Sequence, residues 1–396
     1  MATALITAAD HQTGLGTARA LAEVDVRLIG LCSNPASRFC RSRVWHRLIA
    51  VPGDSDAYLE KLVEIGRSAT ERIVLFPSQD ELVLLLSNNR EELEKYYDFV
   101  LPERETVDLL MDKTAFHRWA EARQFPVPES HVVESQAELK HVLEHIEYPI
   151  AIKPLFRTSN WQIKSPDDKI LKLASRADLH DIRFDLFDCA PRFLIQRWIE
   201  GGDSGVHFCL VYVDRTGREL DYYTGRKLLQ WPRLTGSTAI GVGTDDGELH
   251  ELTKKVMAAA NLIGLGSLEV KKSESDNRYY ITEPTVGRNN MQSYIAVTGG
   301  VNLTLAAFAD ASATHHHRDP KRRRAVWIEE YSLLQAVLRG LKQREFGLMA
   351  ILRQIHGKIS FASFSLRDPM PLLLLGRDIV RSRLRRWSKR HLETTK

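Results

Sequence analysis

Four cysteines are few for 396 residues, and Cys32, Cys40, Cys189 and Cys209 fall at irregular spacings with no C-x-x-C. That excludes a zinc knuckle or a disulfide framework and fits a reducing compartment. No apolar run approaches the ~20 residues that span a bilayer. The opening Met1-Ala2-Thr3-Ala4-Leu5-Ile6-Thr7 lacks the basic flank and long apolar stretch of a signal peptide, so a cytoplasmic location is expected. Gly14-Leu15-Gly16 lacks the third glycine of a dinucleotide fingerprint, and no acidic residue closes the next strand. An NAD site is therefore disfavoured against a tight turn ahead of a helix. No Pro/Gly/Ser linker interrupts the chain, which implies closely packed domains.

What is present is an ordinary globular composition, 43% hydrophobic and 27% charged, at a length that suggests two or three structural units. The net charge of +4 conceals an asymmetry. Residues 321–396 hold 18 Lys+Arg against 6 Asp+Glu, and the remainder holds 37 against 45. Any attraction to anionic surfaces should therefore lie in the basic tail.

Ala4 to Thr7 reads as a buried strand, Thr17 to Leu21 as helix and Val26 to Leu31 as a second strand, the opening of a βαβ unit. Ile73-Val74-Leu75-Phe76 repeats the pattern. Ser78 and Asp80 follow at that strand's carboxyl end, where open α/β sheets bind ligands. Helical periodicity over Asp112 to Phe125 stops at Pro126 and Pro128, and a new unit begins with a strand at Ser130 to Val133. After a helix at Ser135 to Ile146, Tyr148 to Pro154 reads as a buried strand with Lys153 at its exit. A lysine there is costly unless something anionic meets it. Strands are expected at Arg192 to Ile199, Val206 to Val213, Leu220 to Thr224, Gly266 to Lys271 and Arg278 to Glu283, and a helix at Glu248 to Ala260. Antiparallel hairpins thus replace the parallel pattern.

Glu269 and Glu283 flank one of those hairpins, so both can project from one sheet face. Buried like charges repel unless a cation sits between them, and Mg²⁺ suits two carboxylates because phosphates fill its remaining positions. Taken alone, the pair reads equally as two surface glutamates. Its surroundings shift the balance: Glu283 opens the polar stretch Glu283-Pro284-Thr285-Val286-Gly287-Arg288-Asn289-Asn290, while Lys113, Lys153 and Gln196-Arg197-Trp198-Ile199-Glu200-Gly201 stand upstream.

In that order the sequence resembles the ATP-grasp superfamily, and within it carboxylate–amine ligases such as bacterial D-aspartate ligases, over about residues 1–310. The resemblance implies an α/β plus α+β fold: a Rossmann-like pre-ATP domain at 1–105, an ATP-grasp domain at 106–310 with a lid subdomain at about 125–200, and a basic helical extension after a linker at 311–396. It further implies that Lys113, Lys153 and Ser159 meet ATP phosphates, that Gln196, Trp198 and Ile199 receive the adenine, and that Glu200 binds the ribose. Glu269, Glu283 and Thr285 would hold Mg²⁺, or Mn²⁺ in its place. Arg288, with Arg226 and Lys227, would stabilise the transferred phosphoryl group. The implied activity is formation of an acyl phosphate from a carboxylate and ATP, then transfer to an amine. An ATP-binding regulatory or scaffold protein with little turnover is the alternative.

Two departures stand out. Thr285 occupies a position where the family commonly has an asparagine ligand, and the phosphate-covering stretch Leu155-Phe156-Arg157-Thr158-Ser159-Asn160-Trp161 has no glycine. Arg157, Thr158 and Ser159 would then grip phosphate through side chains. Partners are small-molecule carboxylate and amine substrates, with a homodimer as an option. His315-His316-His317 reads as polar linker rather than a metal tract, and no recognition motif accompanies the basic run, so nucleic acid is not expected. Trp327 to Ile355 reads as helical. The apolar Met370 to Leu375 beside cationic Arg377 to Arg390, with Trp387, has the composition of a peripheral anchor on anionic membrane, or of a capping helix with a solvated basic face.

Overall fold

The computed structural model of the protein describes residues 2–155, 158–164, 170–181, 185–314, 322–343, 351 and 353–380. Arg157, the three histidines 315–317 and the tail from Arg381, Trp387 included, lie outside them; of Ser159 only the backbone is described.

Among the described residues three sheets organise the chain. The first is parallel, with β1 (Thr3–Ile6), β2 (Arg27–Cys32), β3 (Arg47–Ala50), β4 (Ile73–Phe76) and β5 (Tyr97–Asp98) in the order β3-β2-β1-β4-β5. Helices cover both faces of such a sheet, so Ala4, Leu5 and Ile6 form a continuous apolar run with no exposed surface. The order reverses between β1 and β4, and the crevice beyond their carboxyl ends is closed by Thr7 N–H on Phe76 O (3.0 Å) and Ser78 N–H on the Thr7 hydroxyl (3.0 Å).

Gly14 and Gly16 do not form the expected turn. They lie inside the helix Gln12–Leu21. A Cβ on Gly14 would stand 2.4 Å from Ala8 O, so this glycine serves the close approach of helix to loop.

The second sheet is antiparallel: β6 (Ser130–Val133), β7 (Ile150–Pro154), β8 (Leu171–Leu173) and β9 (Phe193–Arg197), ordered β6-β9-β7-β8. Alternation sends Val133, Ile150, Ile152, Phe193 and Ile195 into a core with Leu139 and Leu143 of the helix Gln136–His145. That helix starts where Ser135 accepts the Glu138 N–H and Glu138 reaches back to the Glu134 N–H, a capping arrangement written as S-x-x-E.

The third sheet holds β10 (Val206–Val213), β11 (Glu219–Trp231), β12 (Ser237–Thr244), β13 (Gly264–Lys272), β14 (Tyr279–Val286), β15 (Ala325–Ile328) and β16 (Lys358–Phe361), ordered β14-β13-β10-β11-β12-β15-β16. One face packs on the parallel-sheet unit through Phe208, Leu210 and Tyr212, the other through Cys209, Val211, Leu268 and Val270.

The last two strands correct the expectation of a purely helical extension. Ala325-Val326-Trp327-Ile328 is a buried strand antiparallel to β12, with β16 parallel beside it; in the region read as helix from Trp327, the helix begins at Glu330 and is described over Glu330–Gln343. Four apolar residues buried on both faces carry no helical period. The extension is pinned to the N-terminal unit by Asp368, 8% exposed, which accepts from the Ser42 hydroxyl (2.5 Å), Arg43 N–H (3.2 Å) and Arg19 (3.1 Å). Among the described residues no helix is long and apolar enough to cross a membrane.

Candidate active site

Register brings the two glutamates together. Glu269 on β13 is paired directly with Glu283 on β14, next to a bulge between Glu269 and Val270, so both carboxylates leave the same face. Each meets a different lysine. Lys113, the first residue of the helix Lys113–Ala122, lies 3.3 Å from Glu283, and Lys227 of β11 reaches past β10 to Glu269 at 2.8 Å. The first pair is more than half exposed, whereas Lys227 keeps only 5% of its surface in solvent.

Thr285 and Ser267 continue that face two residues on, again directly opposite each other. The Thr285 hydroxyl donates to Asn290 Oδ1 (2.9 Å), and Asn290 Nδ2 donates to the Ser267 hydroxyl (2.6 Å). An asparagine amide therefore does stand beside Thr285, brought from five residues further along. Gly287 makes the turn at φ +73°, and a Cβ there would meet Leu101 at 2.4 Å. Asn289 is anchored to the Thr17 and Thr304 hydroxyls at 2.9 and 3.0 Å. Between these anchors Arg288 projects to Asp80, 2.5 Å away at the start of the helix Asp80–Asn88 that follows β4, and its Nη1 bonds the Asn289 carbonyl at 3.0 Å. Arg288 thus joins the glutamate strand to the β1/β4 crevice.

Arg226 does not join the cluster. It precedes Lys227 on a strand, hence faces the other way, and donates to Gln354 of the C-terminal extension at 2.8 Å.

The opposing wall is the face of the second sheet turned away from its core. Ser130 pairs with Gln196, Gln196 with Ala151, and Leu194 with Lys153, so these side chains share that face. Gln196 accepts from Lys153 (3.2 Å) and donates to the Ser130 hydroxyl (2.7 Å). Burial, then the neighbouring Lys113 charge, lowers the Lys153 ammonium to about 8, partly offset by Glu283. Lysine charge is held here at a cost that an anion would remove.

After β9 the chain runs through the expected hinge. The Trp198 N–H is taken by Pro149 O at 2.8 Å, so the hinge groups open to a ligand are the Trp198 carbonyl and the Ile199 N–H, which no other described residue engages. Glu200 is half exposed, 3.9 Å from Lys172, whose ammonium also lies over the Trp198 ring. A groove of ≈ 540 Å³ bordered by Thr114, His117, Ser130 and Leu194 adjoins this wall.

The donors near the paired glutamates are carboxylate, hydroxyl and amide oxygens. That is a hard set suited to Mg²⁺, which takes one or two carboxylates and completes its shell with phosphate and water. Among the described residues no group of three His, Cys, Asp or Glu could hold a metal by itself, so a site at Glu269 and Glu283 needs oxygens from a ligand. Asn290, Ser267, Asp203, Gln230 and Lys271 escaped the sequence reading. Only Asn290, in the stretch after Glu283, lay near a signal that could have found it.

No family model matches the chain. A D-aspartate ligase of Enterococcus faecium is 21% identical over 267 residues, covering 64% of this chain and 63% of that protein; the chain thus spans less than two thirds of that relative. Among solved structures, an N5-carboxyaminoimidazole ribonucleotide synthetase in complex with ADP superposes with a TM-score of 0.65 at 15% identity, over 86% of this chain and 85% of that one. The biotin carboxylase domain of Hydrogenobacter thermophilus 2-oxoglutarate carboxylase, in complex with MgADP, ADP and bicarbonate, gives 0.62 at 15% identity, over 81% and 73%.

Proposed function

We propose that this chain, whose fold is that of the ATP-grasp superfamily, is an ATP-dependent ligase that activates a carboxylate as an acyl phosphate and transfers it to an amine. The observation that carries the reading is the pair of facing glutamates, each held by its own lysine, across from the half-buried Lys153. A site with two carboxylates and three ammonium groups is built to gather metal and polyphosphate together. The similarity to a D-aspartate ligase favours an acid–amino acid type of reaction.

In this reading Mg-ATP lies between the second and third sheets. Lys113 and Lys153 take phosphate oxygens, and Ser159 is assigned to the same phosphates. Gln196, the Trp198 carbonyl and the Ile199 N–H receive the adenine, and Glu200 the ribose. Glu269 and Glu283 would hold Mg²⁺, with Thr285 and Asn290 beside them; the metal would supply charge neutralisation for the phosphates. Lys227 and Arg288 supply cationic donors toward the transferred phosphoryl group, Arg288 as a planar fork and Lys227 as a compact charge. A carboxylate oxygen attacks the γ-phosphorus and ADP leaves. The amine then attacks the acyl carbon, phosphate leaves, and the amine loses a proton. Holding reactants in line supplies roughly 7–11 kcal/mol of such a barrier.

Incubation with Mg-ATP, a carboxylate panel and hydroxylamine should give hydroxamate with matching ADP release. Nucleotide binding with no hydroxamate from any carboxylate would favour the regulatory alternative.

The cytoplasmic reading includes peripheral membrane contact. Met370, Leu373 and Val380 are exposed and recur at helical spacing along the last described helical segment, directly before the basic tail, and Leu366 in the turn ahead of it is exposed too. Co-sedimentation with phosphatidylserine vesicles at low salt, lost on Leu373→Glu, supports it; no sedimentation of the full chain removes it.

A further inference from the structure

Three buried polar residues near the site have no part in the reading above: Asp203, Gln230 and Lys271. Lys271 follows Glu269 by two positions on β13, so both side chains leave the same face. It is 6% exposed, and its ammonium donates to Gly201 O at 2.7 Å and Gly202 O at 2.6 Å, the two carbonyls immediately after Glu200. The loop is shaped around it. Gly201 has φ +133°, and a Cβ at Gly205 would stand 3.4 Å from the Lys271 nitrogen.

The same loop is held from its far side. Asp203, 3% exposed, accepts from Leu234 N–H (2.7 Å), Gln230 N–H (3.2 Å), Gln230 Nε2 (3.3 Å) and Arg233 (3.3 Å). Gln230 Oε1 accepts from Lys227 at 3.3 Å, and Lys227 pairs with Glu269. Glu274, just past β13, accepts the Gly202 N–H (3.2 Å) and donates its own N–H to Glu200 O (3.3 Å).

Burial lowers the Lys271 ammonium below its ordinary value, and the acids Asp203, Glu274 and Glu200 partly restore it against the opposing Lys227 charge. A side chain that only filled this space would be apolar, since a buried charge is costly unless its donors are used. Here one donor serves the Gly201 carbonyl, which no other described group engages, and a second joins the Gly205 N–H (3.1 Å) on the Gly202 carbonyl.

We propose that Lys271 is a positioning residue for the nucleotide: by holding the Gly201 and Gly202 carbonyls it fixes Glu200 where the ribose hydroxyls bind, and through β13 it ties the adenosine half of the site to Glu269. The proposal rests on the Mg-ATP reading above. Lys271 itself touches no substrate, and acts through Glu200.

The full-length protein and its Lys271→Met variant, titrated calorimetrically with Mg-ADP and with Mg-2′,3′-dideoxy-ADP, test this. The wild type should prefer the ribose form by roughly tenfold or more, the weight of a charge-assisted hydrogen-bond pair. The variant should lose that preference to within about twofold while binding the dideoxy form like wild type, with KM for ATP raised and kcat at saturating ATP retained. Equal loss toward both nucleotides, or full retention of the preference, overturns the proposal and leaves the nucleotide reading standing. A wild type that binds neither nucleotide overturns both. Should Lys271→Met fail to fold by circular dichroism, Lys271→Gln, a neutral donor too short to span both carbonyls, carries the same comparison.

Discussion

Glu269 and Glu283 face each other across two neighbouring antiparallel strands, yet they hold different cations: Lys227, nearly buried, reaches the first and Lys113, largely exposed, the second. The two halves of one candidate metal site therefore differ in how readily they exchange a lysine for a divalent ion.

Glu283→Ala should abolish substrate-dependent ADP release, by at least about a hundredfold, on the scale seen when a positioned charge is lost from a phosphoryl-transfer site. The carboxylate is 55% exposed, so the melting temperature should barely move. Undiminished release of ADP would contradict the assignment.

Lys227→Met should destabilise the protein by about 1–3 kcal/mol, because Glu269 and Gln230 lose their shared donor in a place largely shut off from water. Mg²⁺ should then raise the melting temperature of the variant more than that of wild type, since the ion takes the place of the missing ammonium. An identical Mg²⁺ response in both proteins would argue that Glu269 does not bind the ion.

Lys153 gives a pH dependence with a definite sign. Its ammonium is lowered to about 8, so in the free protein the charge is present below that value and is lost as pH rises through it. Mg-ADP, which favours the charged form, should bind with proton uptake near and above that pH, and more weakly as pH climbs. The same depression means the unfolded chain holds this proton to higher pH, so from this group folding stability rises between about 8 and the ordinary lysine value of ~10.4. Titration in two buffers of different ionisation enthalpy reads the proton directly. Lys153→Met should abolish the uptake, and uptake that persists in the variant assigns it elsewhere.

Asp80→Asn should leave Mg-ADP affinity intact while lowering kcat/KM for the carboxylate and amine substrates by about tenfold, because it loosens Arg288 at the β1/β4 crevice and not at the nucleotide. Steady-state kinetics beside calorimetry separates the two. A matching loss of ADP affinity would place Arg288 at the two phosphates that ADP keeps rather than at the transferred one.

Much of the scaffold was readable because strands in parallel and central positions are long apolar runs: Ser130–Val133 and Val206–Val213 have the bounds expected, and the glutamates pair as expected, although the register beside the turn points Glu269 at Thr282 and it is the bulge that brings Glu283 opposite it. Lys153 was conspicuous as a charge closing a buried strand. The misses have physical reasons. Trp327 lies in a strand because a four-residue apolar run has no period to separate strand from helix. Arg226 and Lys227 looked like one cationic unit, and strand alternation divides them between two faces. Lys271 and Asp203 were invisible because their partners, backbone carbonyls for the first and backbone and side-chain donors for the second, lie about 70 and 30 residues away in the chain, and no local pattern announces a distant group that needs a partner.

No residue assigned to nucleotide or metal lies beyond Asn290, yet the chain is not divisible there. Without β15 and β16 the strand Ser237–Thr244 would end the large sheet with a bare row of amides and carbonyls, flanked by Ala239, Ile240 and Val242, all now buried. Such a border recruits other chains. A truncation that preserves the whole site should therefore be lost to aggregation before it can be assayed.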